Sequence, residues 1–422
     1  MFFTFIVNNR AKHNTKNINN YLTLCKLHSR ITFMNKLPLE GIRVIDFSWI
    51  IAGPTCTRML GMMGAEIIKI ESHRRPDPTR VGGGGNFHFL NQSKTSLSLN
   101  LRTEEGVDIA KKLISISDVL VENYASGVIE RIGLGYEDIK ANNPNLIMVS
   151  SSGLGHSGPD KDHVAYGTLL QCFTGWSYQT GIPEKPPMIG GVWADPLTGM
   201  MQTFLVASCL SGRYRTGLGQ YVDFSMAEAN TTLLQESLMN FFMNKKIIER
   251  NGNYESNIGI HDLFPCKGFD SWIALVIEND EDWNTFCELS QIPELNKYNS
   301  NEKRLENRVK LTHDISVWTK QYNKFDLMEK LQANGIMCGA SMDSLEVIEN
   351  KHHLDRNFVS DYIHKDYKDI KLPNVPWTLN NAPETKITPA PELGSSNNYI
   401  LHNLLGIEQK NIDKMVEEQI IY

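Results

Sequence analysis

The strongest constraint on this chain is the order in which its hydrophobic patterns change after residue 41. Residues 42–47 (IRVIDF) read as a buried strand, residues 54–63 (PTCTRMLGMM) as a helix with proline at its first position, and residues 65–71 (AEIIKIE) as a second strand. Strand, helix and strand in that order make a β-α-β unit, which requires a parallel sheet with a right-handed crossover. The alternation continues with a strand at 96–101 (SLSLNL), a helix at 103–115, and strands at 118–122 (DVLVE) and 146–150 (LIMVS). Thr103 is suited to cap its helix, with Glu104 and Glu105 opposing the helix dipole in the first turn. The N-terminal half is therefore doubly wound α/β.

The second half changes character. A helical stretch runs from Asp195 to about residue 214, then a turn at 216–220 leads to a strand at 221–225 (YVDFS). Residues 228–249 read as one long connecting helix. From about residue 255 a new pattern begins, with a strand at 272–277 and helices around Trp283 and Phe325, which indicates a smaller second domain. Prolines 373, 376, 383, 389 and 391 mark an extended crossing segment, followed by helical stretches at 399–405 and 412–420. At ~150 residues per domain, 422 residues leave room for roughly two or three domains. The expected division is an extension at 1–33, the first part of a large domain at 34–227, a helical connector at 228–254, a small domain at 255–365, and a return segment at 366–422 that completes the large domain.

Residues 1–33 contain Arg10, Lys12, Lys16, Lys26 and Arg30 but no Asp or Glu, a composition shared with organelle-targeting segments. Met34 stands immediately before the patterned sequence, so the preferred reading is a start at Met34 or a disordered extension. That reading makes the protein cytoplasmic, and mitochondrial only if 1–33 is a genuine leader. The formal net charge of -6 argues against nucleic acid as a partner, because phosphate binding needs a concentrated basic face. No apolar run approaches the ~20 residues of a membrane span. The 7 cysteines are scattered with no CxxC pair, which suggests neither a disulfide framework nor a metal site.

Four features invite a functional reading. The loop after the first strand, Ser48 to Pro54, lacks the GxGxxG that lets a backbone approach a pyrophosphate, so Glu71 at the end of the second strand is not expected to hold an NAD ribose. Gly82 to Gly85 lack an evident following helix and a Lys-Ser/Thr pair, and read as a surface loop rather than a phosphate cradle. The cluster Ser72-His73-Arg74-Arg75 follows a parallel strand on the ligand side, where Arg74 or Arg75 is either a phosphate ligand or a solvated loop residue. Asp195, in GGVWADPLTGMM, looks like a helix N-cap with proline at N1. Such a position also suits an ionised oxygen nucleophile, with Gly190, Gly191 and Gly199 giving access to a bulky thioester. Local chemistry leaves capping and catalysis both open. Trp49, Trp193, Phe173 and Trp176 are equally open between an acyl pocket and the core.

From about Leu37 to Ile420 the chain resembles the family III CoA-transferases, the group that includes the formyl-CoA, crotonobetainyl-CoA and benzylsuccinate enzymes. The segments carrying the resemblance are LPLEGIRVIDFSWIIAGP (37–54), GAEIIKIES (64–72), DVLVENYASGVIERIGLGYE (118–137), NPNLIMVSSSGLGHSGP (143–159), ADPLTGM (194–200), RTGLGQYVDFSM (215–226) and APELG (390–394). The resemblance implies a Rossmann-like large domain and a smaller α+β domain in an interlocked, ring-shaped homodimer. It implies that Asp195 is the nucleophile, attacking an acyl-CoA and passing CoA to a free carboxylic acid through an aspartyl-CoA thioester, with CoA as cosubstrate and no tightly bound cofactor or metal. It implies CoA contacts at Ile51, Ala52, Leu99, Asn100, Leu101, Arg102, Asn123, Tyr124, Arg131 and Tyr166. The arginine that relatives often carry after the second strand is Ser72 here, which passes the phosphate role to Arg74 or Arg75. The glycine lid of the formyl enzyme's second domain has no counterpart after residue 250.

Two alternatives stand beside this reading. An α-methylacyl-CoA racemase of the same fold needs a Gly-His-Asp motif, but the matching residues are Ala165-Tyr166-Gly167, and a tyrosine, ordinarily titrating at ~10, is a poor general base at neutral pH. The other is a CoA-binding partner subunit of a heteromeric transferase: in some such enzymes one of two unlike subunits lacks the aspartate, so Asp195 counts against an inert chain but leaves a heteromeric partner open.

Overall fold

The computed structural model describes residues 36–81, 84–364, 368–385 and 387–422. The expectations for residues 1–33, Met34, Gly82 and Gly83 lie outside the described residues. The central sheet has strands β1 (Arg43–Asp46), β2 (Glu66–Glu71), β3 (Lys94–Ser98), β4 (Val119–Glu122), β5 (Ile147–Ser152) and β6 (Gln220–Ser225). Their order is β3-β2-β1-β4-β5-β6, parallel at every pairing. One face, with Val44, Ile67, Val121 and Val149, packs on α1 (Ala52–Met62) and on a long helix that begins at Ala194. The other face, with Ile45, Ile68, Leu97, Leu120 and Met148, packs on α2 (Glu104–Ser115) and on Ile400, Leu401, Ile412 and Met415 from the end of the chain. Helices on both faces are why these strands read as unbroken apolar runs, and each fully buried Leu or Ile adds about 1.5–3 kcal/mol.

The C-terminal segment also closes an edge. Ser93 N–H donates to Thr388 O at 3.0 Å, Ser98 N–H to Asn397 Oδ1 at 2.9 Å, and Asn100 N–H to Ile420 O at 2.8 Å. This covers β3, whose free backbone groups would otherwise template another chain. β3 itself lies earlier than the sequence pattern indicates. It starts at Lys94, a charge that reads as loop but is buried against Asp46 at 2.9 Å, and Leu99 to Arg102 become the turn into α2.

After β5 come α3 (Gly167–Phe173) and the long helix α4 (Ala194–Thr216). α4 presses close on α1 at Gly199, where a Cβ would lie 2.4 Å from Ala52 O and 2.7 Å from Thr55 Cβ. Gly199 therefore serves helix packing rather than access to a thioester, as the sequence had suggested. The expected single helix at 228–249 is two, Met226–Thr231 and Gln235–Asn244. Asn230 Nδ2, Thr231 Oγ1 and Thr232 Oγ1 donate to the carbonyls of Met226, Ala227 and Ala229 at 2.7–2.8 Å, and such back-bonding competes with the helical ladder.

The smaller unit is an antiparallel sheet of β7 (Ile260–Pro265), β8 (Trp272–Ile277) and β9 (Met337–Ala340), in the order β7-β8-β9. Helices Asp280–Ser290, Arg308–Thr319 and Lys324–Gln332 bury Trp283, Phe286, Leu311, Ile315 and Leu327 against it, a core separate from those of the large sheet. No helix among the described residues is long and apolar enough to cross a membrane.

Candidate active site

The order of the parallel sheet has its switch point between β1 and β4, and ligands of such sheets bind outside the carboxyl ends of the strands there. A cavity of about 530 Å³ opens at that place. Ile51, Ala52, Arg74, Arg75, Asn100, Leu101, Arg102, Asn123, Tyr124, Tyr166 and Asp195 all line it, although they come from six separate stretches of sequence. Two expected contacts lie outside the lining. Leu99 is fully buried in the core beneath, its N–H bonded to Glu71 O, and Arg131 is exposed beside Gly127.

The loop after β1 forms the floor, and a buried charge network holds it. Lys69 Nζ donates to Ser48 O at 2.7 Å and pairs with Asp77 at 3.2 Å; Asp77 in turn accepts from Ile50 N–H at 3.3 Å. Ile50 has a left-handed backbone, φ +66°, a conformation a β-branched residue adopts only when its surroundings impose it. Asn123 clamps the next residue from β4: Trp49 N–H donates to Asn123 Oδ1 and Asn123 Nδ2 to Trp49 O, both at 2.9 Å. Beneath, burial pushes Asp46 up, but Lys94 and Lys69 outweigh it and hold the carboxyl below its usual range, while burial lowers Lys94 to about 8. Glu71, at the position of an NAD-binding acid, is instead gripped by Arg80 at 2.6 and 2.9 Å.

The two arginines of the basic cluster differ. Arg74 reaches Tyr422 Oη at 3.4 Å and Gln419 Oε1 at 3.3 Å, and the neighbouring His73 ring stacks on Tyr422. Arg75 lies over the Trp49 ring at 4.4 Å, and Trp49 meets Tyr124 edge-on at 5.6 Å. Arg102 is exposed, and its guanidinium pairs with no described residue. A helix, Gly85–Leu90, does follow Gly84, contrary to the sequence reading, but its residues lie outside this cavity.

Asp195 is not the N-cap. α4 starts at Ala194 with Trp193 at the cap, because Leu197 N–H already bonds Trp193 O at 3.1 Å, so Asp195 is the second residue of the first turn. Its carboxylate reaches the cavity with no hydrogen-bond or ion-pair partner among the described residues, and burial pushes it up to about 6. The wall against it is Gly167, the first residue of α3, where a Cβ would lie 2.6 Å from Oδ2 and 2.9 Å from Oδ1. Gly191 has open space around it, while Gly190 abuts Trp193 Nε1. Of the aromatic candidates, Trp49 lines the cavity; Trp193 and Trp176 instead meet edge-on at 5.1 Å beside the start of α4. Lys69, Asp77, Ser151, Ser152, Lys161 and Met226 also line the cavity and went unseen in the sequence, since only the tertiary fold brings them together; His163, which the sequence suggests is a loop histidine, lines it as well.

The switch-point cavity thus gathers basic side chains and, among the described carboxylates that line it, one without a partner, Asp195. Comparison with known proteins gives the family. The model of CoA-transferase family III matches residues 39–397, and the chain belongs to that family. It is 29% identical over 395 residues to the succinyl-CoA–D-citramalate CoA-transferase of Chloroflexus aurantiacus, covering 91% of this chain and 98% of that one. It is 29% identical to the succinate–glutarate CoA-transferase of Agrobacterium fabrum, covering 89% and 97%. A CAIB/BAIF family protein from Brucella suis superposes with a TM-score of 0.81 at 29% identity over 88% of this chain and all of that one.

Proposed function

We propose that the protein moves CoA from an acyl-CoA to a free carboxylic acid through covalent intermediates on Asp195. The observation carrying this is the unpaired Asp195 carboxylate on the cavity wall, held against the bare Cα of Gly167. A carboxylate Oδ attacks the thioester carbonyl, the C–S bond breaks, and a mixed anhydride and CoA thiolate result. The thiolate attacks the aspartyl carbonyl, the donor acid leaves as its carboxylate, and an aspartyl-CoA thioester remains. The acceptor carboxylate attacks that thioester, and the released thiolate then takes the acceptor's acyl group, regenerating Asp195. Every step exchanges one acyl bond for another, so no net proton or ATP is required. In the first turn of α4, Leu197 N–H is taken by Trp193 O and Pro196 has no N–H, which leaves the N–H groups of Ala194 and Asp195 without intrahelical acceptors and suited to the developing oxyanion.

CoA would lie along the floor formed by Ile51, Ala52 and the Asn100–Arg102 turn. Its phosphates would fall to Arg75 and Arg102, since Arg74 is committed to Tyr422 and Gln419. Arg131 and Leu99, outside the lining, are left with supporting roles at most. The relatives named for succinyl-CoA favour succinyl-CoA as donor and a dicarboxylic acid as acceptor. Racemisation is disfavoured because the acid–base pair it needs at positions 166 and 167 is Tyr166 and Gly167 here. Exposed apolar side chains on α4 and at 238–243 favour assembly as a homodimer, and relatives named as alpha and beta subunits keep a heteromer open to test.

The test is to incubate the full chain with succinyl-, acetyl-, crotonyl- and oxalyl-CoA and measure intact mass. Hydroxylamine trapping and peptide mapping then locate any adduct. A hydroxamate on Asp195, absent from Asp195→Ala, is the expected result. No adduct, together with α-proton exchange of a branched acyl-CoA, would overturn the reading in favour of racemisation.

A further inference from the structure

Two walls of the cavity come from different loops. The loop after β4 supplies Asn123 and Tyr124; the end of β5 and the loop after it supply Ser151 to Gly153 and, farther on, Lys161 and His163 to Tyr166. Behind them, away from the cavity lining, Glu122 and His156 face each other with Oε1 and Nε2 3.6 Å apart. Their side chains are 0% and 7% exposed. Both His156 ring nitrogens and Glu122 Oε1 lack a hydrogen-bond partner among the described residues.

Each residue is tied to its own wall. Glu122 Oε2 accepts from Tyr124 N–H at 2.8 Å, and Tyr124 meets Trp49 beneath Arg75. His156 N–H donates to Asp223 Oδ1 at 2.7 Å, and Ser157 Oγ donates to Asp223 Oδ2 at 2.9 Å, which anchors that loop to β6. The same loop packs Gly153 against Ala165, where a Cβ would lie 2.8 Å from Ala165 Cβ, and continues into Gly167 at the Asp195 carboxylate. A buried acid and imidazole this close, with only the Ser150 hydroxyl also beside Glu122, are suited to share one proton, since leaving both unpaired costs free energy.

We propose that Glu122 and His156 form a proton-sharing latch that holds the two cavity walls in register, making both positioning residues for CoA binding and for attack by Asp195. In the latched form Glu122 is the acid and its O–H donates to His156 Nε2; no proton leaves the pair. Burial raises Glu122 to about 8 and lowers His156, so the neutral pair prevails at pH 7. The other groups facing the pair are Ser150 on β5, Tyr221 and Asp223 on β6, and Glu130 on the helix Val128–Ile132. Loss of the Glu122 proton replaces the O–H donor by an anion that only the Nε2–H tautomer of His156 can face, adds a like charge beside Glu130 and Asp223, and so weakens the latch. This inference rests on the transferase reading, because it takes the cavity to be the CoA site.

The experiment is CoA binding, read by tryptophan fluorescence on the full chain from pH 6 to 9.5. The unsubstituted protein should weaken about tenfold in Kd across pH 7–9, while Glu122→Gln, whose amide can accept from Tyr124 N–H and donate to His156, should stay within about twofold over the same range. Glu122→Ala and His156→Ala should bind weakly at every pH while still unfolding cooperatively. CoA binding by the unsubstituted chain that Glu122→Ala and His156→Ala leave unchanged, or an alkaline loss retained by Glu122→Gln, would overturn the latch alone. No CoA binding by the unsubstituted chain would overturn the transferase reading and the latch with it.

Discussion

Asp195 combines two properties that pull against each other: burial suited to nucleophilic attack, and an unpaired charge that burial penalises. With its pKa at about 6, some nine-tenths of the group is ionised at pH 7. Transfer rate should therefore climb tenfold per pH unit up to about pH 6 and then level off, and a profile flat down to pH 4.5 would exclude this carboxylate as the attacking group. The same shift costs stability. The folded value lies above the unfolded ~3.9, so the native state binds the extra proton between pH ~4 and 6 and stability falls as pH rises through that window. Asp195→Asn should be inactive, yet melt higher than the unsubstituted protein at pH 7.5, on the order of 2 kcal/mol more stable, with the difference vanishing near pH 4. Sequence reading found this residue but misjudged its position. Asp-Pro looks like a cap followed by N1, whereas the helix starts one residue earlier at Ala194, under a Trp193 that makes no side-chain capping bond and so leaves no local signal.

The β1 loop shows how one element is shaped by charges from others. Ile50 keeps its left-handed backbone because Asp77, paired with Lys69, accepts its N–H; the loop carries Trp49 to Ala52 into the cavity. Asp77→Ala would leave Lys69 buried without that partner, a loss of about 3–5 kcal/mol. It should also raise the KM for acyl-CoA roughly tenfold by freeing the loop, because misplaced positioning groups act strongly on a bound geometry. Thermal unfolding and steady-state kinetics of the variant check both parts; a lowered Tm with unchanged KM would show that the brace is structural only. The β-α-β order was legible because strands covered on both faces are continuous apolar runs. The boundaries of β3 were not, since Lys94 reads as solvent-exposed until Asp46, 48 residues away, is known to lie beside it. Glu122 and His156 were hidden for the same reason: a sequence pattern gives elements their faces but not their neighbours.

At the scale of the whole molecule, several large apolar side chains on α4 and elsewhere are left uncovered by the described residues. Phe204 is 71% exposed, with Met200 one turn before it, and Phe173, Phe242 and Met243 are 65%, 65% and 73% exposed. Side chains of this size seldom stand together in water unless another surface covers them. Helical spacing in the sequence tells which residues share a face and is silent on whether that face meets the same chain or another. A stable homodimer covering them would bury more than about 1,000 Å². Sedimentation at micromolar concentration should give twice the 47.8 kDa chain mass. The double substitution Phe204→Glu/Phe242→Glu should shift the protein to a single chain, because a carboxylate left unpaired in an apolar contact costs several kcal/mol per site. A monomer from the unsubstituted protein would instead require that its active cavity be complete within one chain, and would direct the search toward an unlike partner subunit for the same apolar face.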